Sequence, residues 1–169
     1  MNTELIRTLV TQRSGQPPEH VASGIVDELA GQEPHPDVVE YLSHCLPIST
    51  YAASGVRVLP IQAIEREMGE ASAPGSFIRP FGYVIIAISV GGNAICAHAS
   101  TGRVFWANHD SFSSDTIMFE NRATRDWEYL YEYSSENVER AMLLLSENVE
   151  AFFTDLLADR LSDRLDELD

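Results

Sequence analysis

The chain has no lysine: all 11 of its cations are arginine, set against 26 acids, for a net charge of −15. A phosphate loop of the GxxxxGK[ST] kind requires a lysine, so that nucleotide motif is excluded. The dinucleotide fingerprint is missing too, because Gly91-Gly92 lacks a third glycine and precedes a strand-like run instead of a helix. Cysteine is scarce, with only Cys45 and Cys96. The first ten residues show no cationic start followed by an apolar block, so no export signal is expected. Two thiols in such a chain predict buried, reduced side chains and a cytoplasmic location. No apolar run approaches the roughly 18 residues that span a bilayer. An acid excess of this size repels nucleic acid and anionic membrane and attracts a basic partner. The same acidity also serves simply to keep a chain soluble.

The charge is unevenly spread. Residues 1–109 carry 10 acids and 6 arginines, and residues 110–169 carry 16 acids and 5 arginines. No acid occurs from residue 71 to residue 109, and Arg79 and Arg103 are the only cations there. This uncharged stretch contains an apolar, β-branched run at 83–90, a turn signal at Gly91-Gly92-Asn93, a second run at 94–99, a turn at Thr101-Gly102 and a third run at 104–107. Short gaps between such runs predict an antiparallel meander, and this meander is the expected core.

Helical spacing of apolar residues predicts helices at 2–13, about 18–30 and 36–44, with Pro18 in the first turn of the second and Pro47 stopping the third. A short strand is expected at 55–59 and a helical turn at 61–68, carrying Ile64 inward and Glu65 outward. After Asp110 the chain reads as helical, with a short aromatic segment at 126–133. The pentapeptide Ser-Glu-Asn-Val-Glu occurs at 135–139 and again at 146–150. Its offset of 11 residues suits one helical face, or each serine caps its own helix. Two capped helices or one kinked helix are expected from 135 to about 165, burying Val138, Met142, Leu145, Val149, Phe152, Phe153 and Leu156. The whole is one domain of 169 residues, ending in a charged tail from about 159. Helices, then a mostly antiparallel sheet (mixed pairing being allowed), then helices make an α+β fold.

Candidate chemistry is sparse. Ser89, at a strand end before Gly91, resembles a nucleophile elbow, but the elbow needs a helix directly after it. Cys96 and His98 share one strand face and, with His109 and Asp110, form a candidate metal set that lacks the paired-ligand spacing of zinc sites. His20, His35 and His44 form no dyad with an acid. No catalytic residue, metal or cofactor is therefore expected. Glu65, Glu67 and Glu70 precede the uncharged core and Asp110, Asp115 and Glu120 follow it, so both groups are candidates for an acidic binding rim. Trp127 heads an aromatic cluster with Tyr129, Tyr131 and Tyr133. It is a candidate partner anchor, with burial under the sheet as the alternative.

The run GGNAICAHASTGRVFWANHD resembles the SUKH superfamily, which includes the Smi/Knr cell-wall-synthesis regulator of yeast. The resembling positions are 83–90, Gly92-Asn93, 94–99, Gly102, Val104, Phe105-Trp106 and His109-Asp110, and the closing segment 146–157 fits as well. Leu46-Pro47 and Tyr51 also match, whereas the expected Asn-Gly-Gly turn is represented only by Ser54-Gly55. The resemblance implies an α+β domain without catalysis, in which Gly92 and Gly102 serve turns and Val104 and Trp106 serve the core or its edge. It further implies an immunity-type protein that binds and blocks a basic toxin domain, such as a nuclease. The alternative it carries is a regulatory or scaffolding domain with no toxin partner.

Overall fold

A computed structural model describes residues 1–69, 72–121, 123–161, 163, 165 and 168. Three helices open the chain: α1 (Thr3–Ser14), α2 (Ser23–Ala30) and α3 (Pro36–His44). They are followed by a hairpin of β1 (Tyr51–Ala53) and β2 (Val56–Val58), then by α4 (Ile61–Glu67) and the single turn α5 (Gly75–Ile78). The predicted meander follows as β3 (Tyr83–Ser89), β4 (Ala94–His98) and β5 (Val104–Ala107). A second hairpin, β6 (Ile117–Glu120) and β7 (Trp127–Leu130), precedes α6 (Ser135–Arg140), β8 (Leu143–Ser146) and α7 (Val149–Leu157). The main sheet runs β1-β2-β3-β4-β5-β8, antiparallel at every pairing, and β6-β7 form a separate two-stranded sheet. The fold is α+β, as the residue pattern predicts. Among the described residues no helix is long and apolar enough to cross a membrane.

All seven residues of β3 and all four of β5 are buried. Successive strand side chains point to opposite faces, so the meander is covered on both sides. Helices α1, α3 and α7 pack together in one group, where the Tyr41 and Phe153 rings stack at 4.1 Å. Helix α4 shields the edge of β3 beyond β2, where the Ile85 N–H meets Met68 Sδ at 3.2 Å. The glycine turns form as expected. Gly92 (φ 90°) and Gly102 (φ 73°) both hold the left-handed backbone that favours glycine. Val104 and Trp106 are buried.

Three expectations are corrected. The second helix begins at Ser23, not at Pro18. The Glu19 and Val21 N–H groups instead donate to the Leu46 and Ser43 carbonyls, each at 3.0 Å, which holds this stretch extended across the end of α3. The strand expected at 55–59 is half of a hairpin, turned by Ser54 (φ 46°) and Gly55 (φ 76°). The region after Asp110 is not uniformly helical. The aromatic segment contains strand β7. Of the two expected forms, two capped helices or one kinked helix, the chain takes two helices, α6 and α7. Strand β8 lies between them, where Leu144 pairs with Phe105 and Leu143 with Trp106. The caps are Ser134 and Asn148, not Ser135 and Ser146. The two copies of Ser-Glu-Asn-Val-Glu therefore differ in structure. The first lies in α6, capped by Ser134 Oγ, which accepts from Asn137 N–H at 3.2 Å. The second spans the end of β8 and the start of α7, where Asn148 Oδ1 accepts from Ala151 N–H at 2.7 Å. Of the expected inward face, Val138, Leu145, Val149, Phe152, Phe153 and Leu156 are buried and Met142 is half-buried. In the tail, Leu165 is buried and Leu161 and Leu168 pack against the core.

Phe153 is fully buried and joins α7 to α3. Phe153→Ala is expected to lower the unfolding free energy by about 3–5 kcal/mol, read from urea denaturation at unchanged m-value.

Candidate partner-binding surface

Hairpin β6–β7 follows from local chemistry. Residues 127–131, Trp-Glu-Tyr-Leu-Tyr, place an aromatic side chain at every second position, and residues 117–120, Ile-Met-Phe-Glu, stay apolar up to Glu120 at the tip. Asn121 closes the tip: its N–H donates to the Asp126 carbonyl at 2.8 Å, and its Oδ1 accepts from Ala123 N–H at 3.0 Å. The base is pinned by Tyr133. Its ring stacks on Phe77 and Phe81, and its hydroxyl donates to the Ser113 carbonyl at 2.7 Å.

The register pairs Glu120 with Trp127, Met118 with Tyr129, Phe119 with Glu128 and Ile117 with Leu130. Directly opposed residues share a face. The inner face therefore carries Ile117, Phe119, Glu128 and Leu130. Arg140 of α6 fastens it, with its guanidinium 2.7 Å from the Glu128 carboxylate and 5.9 Å from the centre of the Phe119 ring. Asn121 Nδ2 also donates to Glu128. The outer face carries Met118, Glu120, Trp127 and Tyr129, and Tyr131 continues the row. Trp127, Tyr129 and Tyr131 are 58, 53 and 80% exposed. Isolated exposed apolar side chains are ordinary, but two aromatics in register on β7 with a third directly after it form a patch. Between the hairpin and β5, α6 and β8 lies a cleft of ≈650 Å³, reached by residues of both hairpin faces and lined by Trp106, Phe119, Glu120, Trp127, Arg140 and Leu143 among others. Trp106 Nε1 is buried there and has no hydrogen-bond partner among the described residues.

The candidate acids are dispersed. Glu120 and Trp127 meet at the hairpin tip, with Arg125 3.4 Å from Glu120. Asp110 is exposed on the 3₁₀ turn His109–Ser111, 3.3 Å from His109 Nε2, and Asp115 is exposed just before β6. Glu65 and Glu67 lie on α4, where Glu67 is 3.4 Å from Arg66; neither lines the cleft. Glu70 lies outside the described residues. Tyr129 and Tyr131 carry the patch beyond the single anchor Trp127, and the period-two pattern Trp-Glu-Tyr-Leu-Tyr was the signal for it.

The other candidates are occupied in packing. Ser89 is buried, and its Oγ accepts from Asn93 N–H at 3.1 Å. Cys96 is buried with Sγ 3.7 Å from the Phe105 carbonyl, and burial drives its thiol pKa well up. Burial likewise pushes the Cys45 thiol up to about 12. His98 stands edge-on to Tyr83 at 4.8 Å, and desolvation lowers its pKa. His109 faces Asn93 Oδ1, with Nδ1 3.1 Å away. His20 and His44 approach through their Nδ1 atoms at 3.1 Å, and His35 Nδ1 accepts from Asp37 N–H at the start of α3. Among the described residues no group of three or more histidine, cysteine or acidic side chains is placed to hold a metal ion.

No protein-family model matches the chain, and neither does any curated protein or solved structure.

The thiolate is the reactive form of cysteine. With a pKa of about 12, Cys45 is ionised to only about one part in ten thousand at pH 8, and Cys96 lies higher still. Both thiols are expected to resist iodoacetamide in the native protein and to react fully in denaturant, as counted by mass spectrometry.

Proposed function

We propose that this chain is a non-catalytic protein-binding domain of the immunity type, which binds a basic toxin domain and occludes it. The observation that carries the reading is the exposed row Trp127, Tyr129 and Tyr131 on a domain with net charge −15. Trp and Tyr are enriched in the residues that dominate interface energies, because they remove large rigid surfaces from water at low entropic cost. The acidic surround contributes differently. It steers a basic partner into encounter and discourages acidic ones. An acidic surface also competes for the cationic groups with which a nuclease would grip its nucleic acid, which makes a nuclease domain a fitting target. The SUKH resemblance at 83–110 points the same way.

Affinity capture from the source cells with tagged protein, washed at low salt and read by mass spectrometry, tests this reading. A basic polypeptide carrying a toxin domain is the expected result. Capture of a housekeeping assembly alone would replace it with the regulatory or scaffolding reading. With the partner in hand, Trp127→Ala is expected to weaken binding by at least about 2 kcal/mol, roughly 30-fold, in calorimetry. Glu120→Lys is expected to slow association more than Glu65→Lys or Glu67→Lys in stopped-flow measurements, with the difference shrinking as salt rises. Association that ignores ionic strength would remove the electrostatic part of the mechanism.

A further inference from the structure

The backbone of β7 has an unused side. Asn121 donates to the Asp126 carbonyl directly across the hairpin tip, which makes residues 121 and 126 a hydrogen-bonded pair. Hydrogen-bonded and non-hydrogen-bonded pairs alternate along an antiparallel ladder. The next bonded pairs are therefore Phe119 with Glu128 and Ile117 with Leu130, while Trp127 and Tyr129 occupy the non-bonded positions. The N–H and C=O groups of Trp127 and Tyr129 consequently point away from β6. The small sheet contains only β6 and β7, so among the described residues no strand lies on that side.

We infer that β7 is a docking edge, to which an extended segment of the partner with arginine or lysine at alternate positions adds as a third strand. This rests on the protein-binding reading above. Strand addition draws affinity from main-chain hydrogen bonds and selectivity from alternate side chains. Residues directly opposite Trp127 and Tyr129 would project onto the same face as their rings. A cation there lies over an aromatic face, a favourable contact that strengthens as water is excluded. The charge around the edge selects the occupant. Residues 115–136 carry six acids and two arginines, with Asp126 and Glu132 immediately flanking the aromatic row. A second copy of this chain would bring the same acids against themselves, so the surround that invites a basic strand also disfavours pairing of β7 with its own kind.

Hydrogen exchange and a peptide probe test the inference. In the free protein the amides of Trp127 and Tyr129 are expected to exchange fast and those of Glu128 and Leu130 slowly. The probe is an acetylated, amidated peptide alternating arginine with valine; its controls are the same peptide N-methylated at each arginine and a version with glutamate for arginine. The parent peptide is expected to protect the Trp127 and Tyr129 amides. It should bind at least about tenfold more tightly than the N-methylated form, since two or more main-chain hydrogen bonds are at stake, and the glutamate peptide should not bind. Equal binding of the parent and N-methylated peptides, or no protection at those two amides, would overturn strand addition. The same exchange measurement on a captured complex separates the two proposals. Loss of affinity in Trp127→Ala with the Trp127 and Tyr129 amides still unprotected would leave the protein-binding reading standing and remove strand addition. The peptide result decides strand addition even where no cellular partner is captured.

Discussion

Burial of the meander on both faces is the constraint from which the rest of the molecule follows. A sheet with one wet face alternates apolar and polar residues, whereas β3 reads Tyr-Val-Ile-Ile-Ala-Ile-Ser and is buried throughout. Each of its faces needs an apolar layer. The chain supplies cover from elements far apart in sequence, including the α1–α3–α7 group and the short helices around β3. Edges need closing as well. Met68, at the C-terminal end of α4, sits against β3 where β2 ends, and β8 returns from beyond the second hairpin to pair with β5. The absence of acid between residues 71 and 109 is the counterpart of this arrangement, since an unpaired carboxylate placed there would lose its hydration without gaining a partner.

The second hairpin stands apart from that requirement. It forms its own small sheet and is fastened on one side by Ile117, fully buried in the core, by Phe119 and Leu130 packed against that core, by the Arg140 guanidinium between Glu128 and Phe119, and by the Tyr133 ring on Phe77 and Phe81. Its other side, continued by Tyr131, carries three of the six exposed large hydrophobic side chains among the described residues. That concentration within residues 127–131, not acidity alone, is what singles out the proposed binding surface. The acids are numerous enough to be found on any face, and those nearest the aromatic row differ from most of the acids that their position beside the core suggested.

Legibility followed the range of the interactions. Helix α3 and the strands of the meander could be read closely because their signals are local: an apolar period, a proline at an entry, a glycine in a turn. Residues 18–22 also carry a helix-entry signal, but backbone bonds to the end of α3 override it. Hairpin β6–β7 gives a weak local signal because its tip lacks the glycine that marks most tight turns and 117–119 is an unbroken apolar run; only the aromatic at every second position of 127–131 marks a strand. Leu143-Leu144-Leu145 has good intrinsic helix propensity and gives no local sign of being a strand.

The sequence by itself determined the fold class, the uncharged core, the glycine turns and the acid excess, because each depends on composition or on neighbours a few residues away. Tertiary structure alone decided that residues 143–146 form a strand, that two identical pentapeptides take different shapes, and that three aromatics face solvent in a row. A helix satisfies its backbone within its own segment, but a strand is completed by a partner the local sequence does not specify. Whether an aromatic ring is buried or displayed depends in turn on which face of that strand the core has already covered.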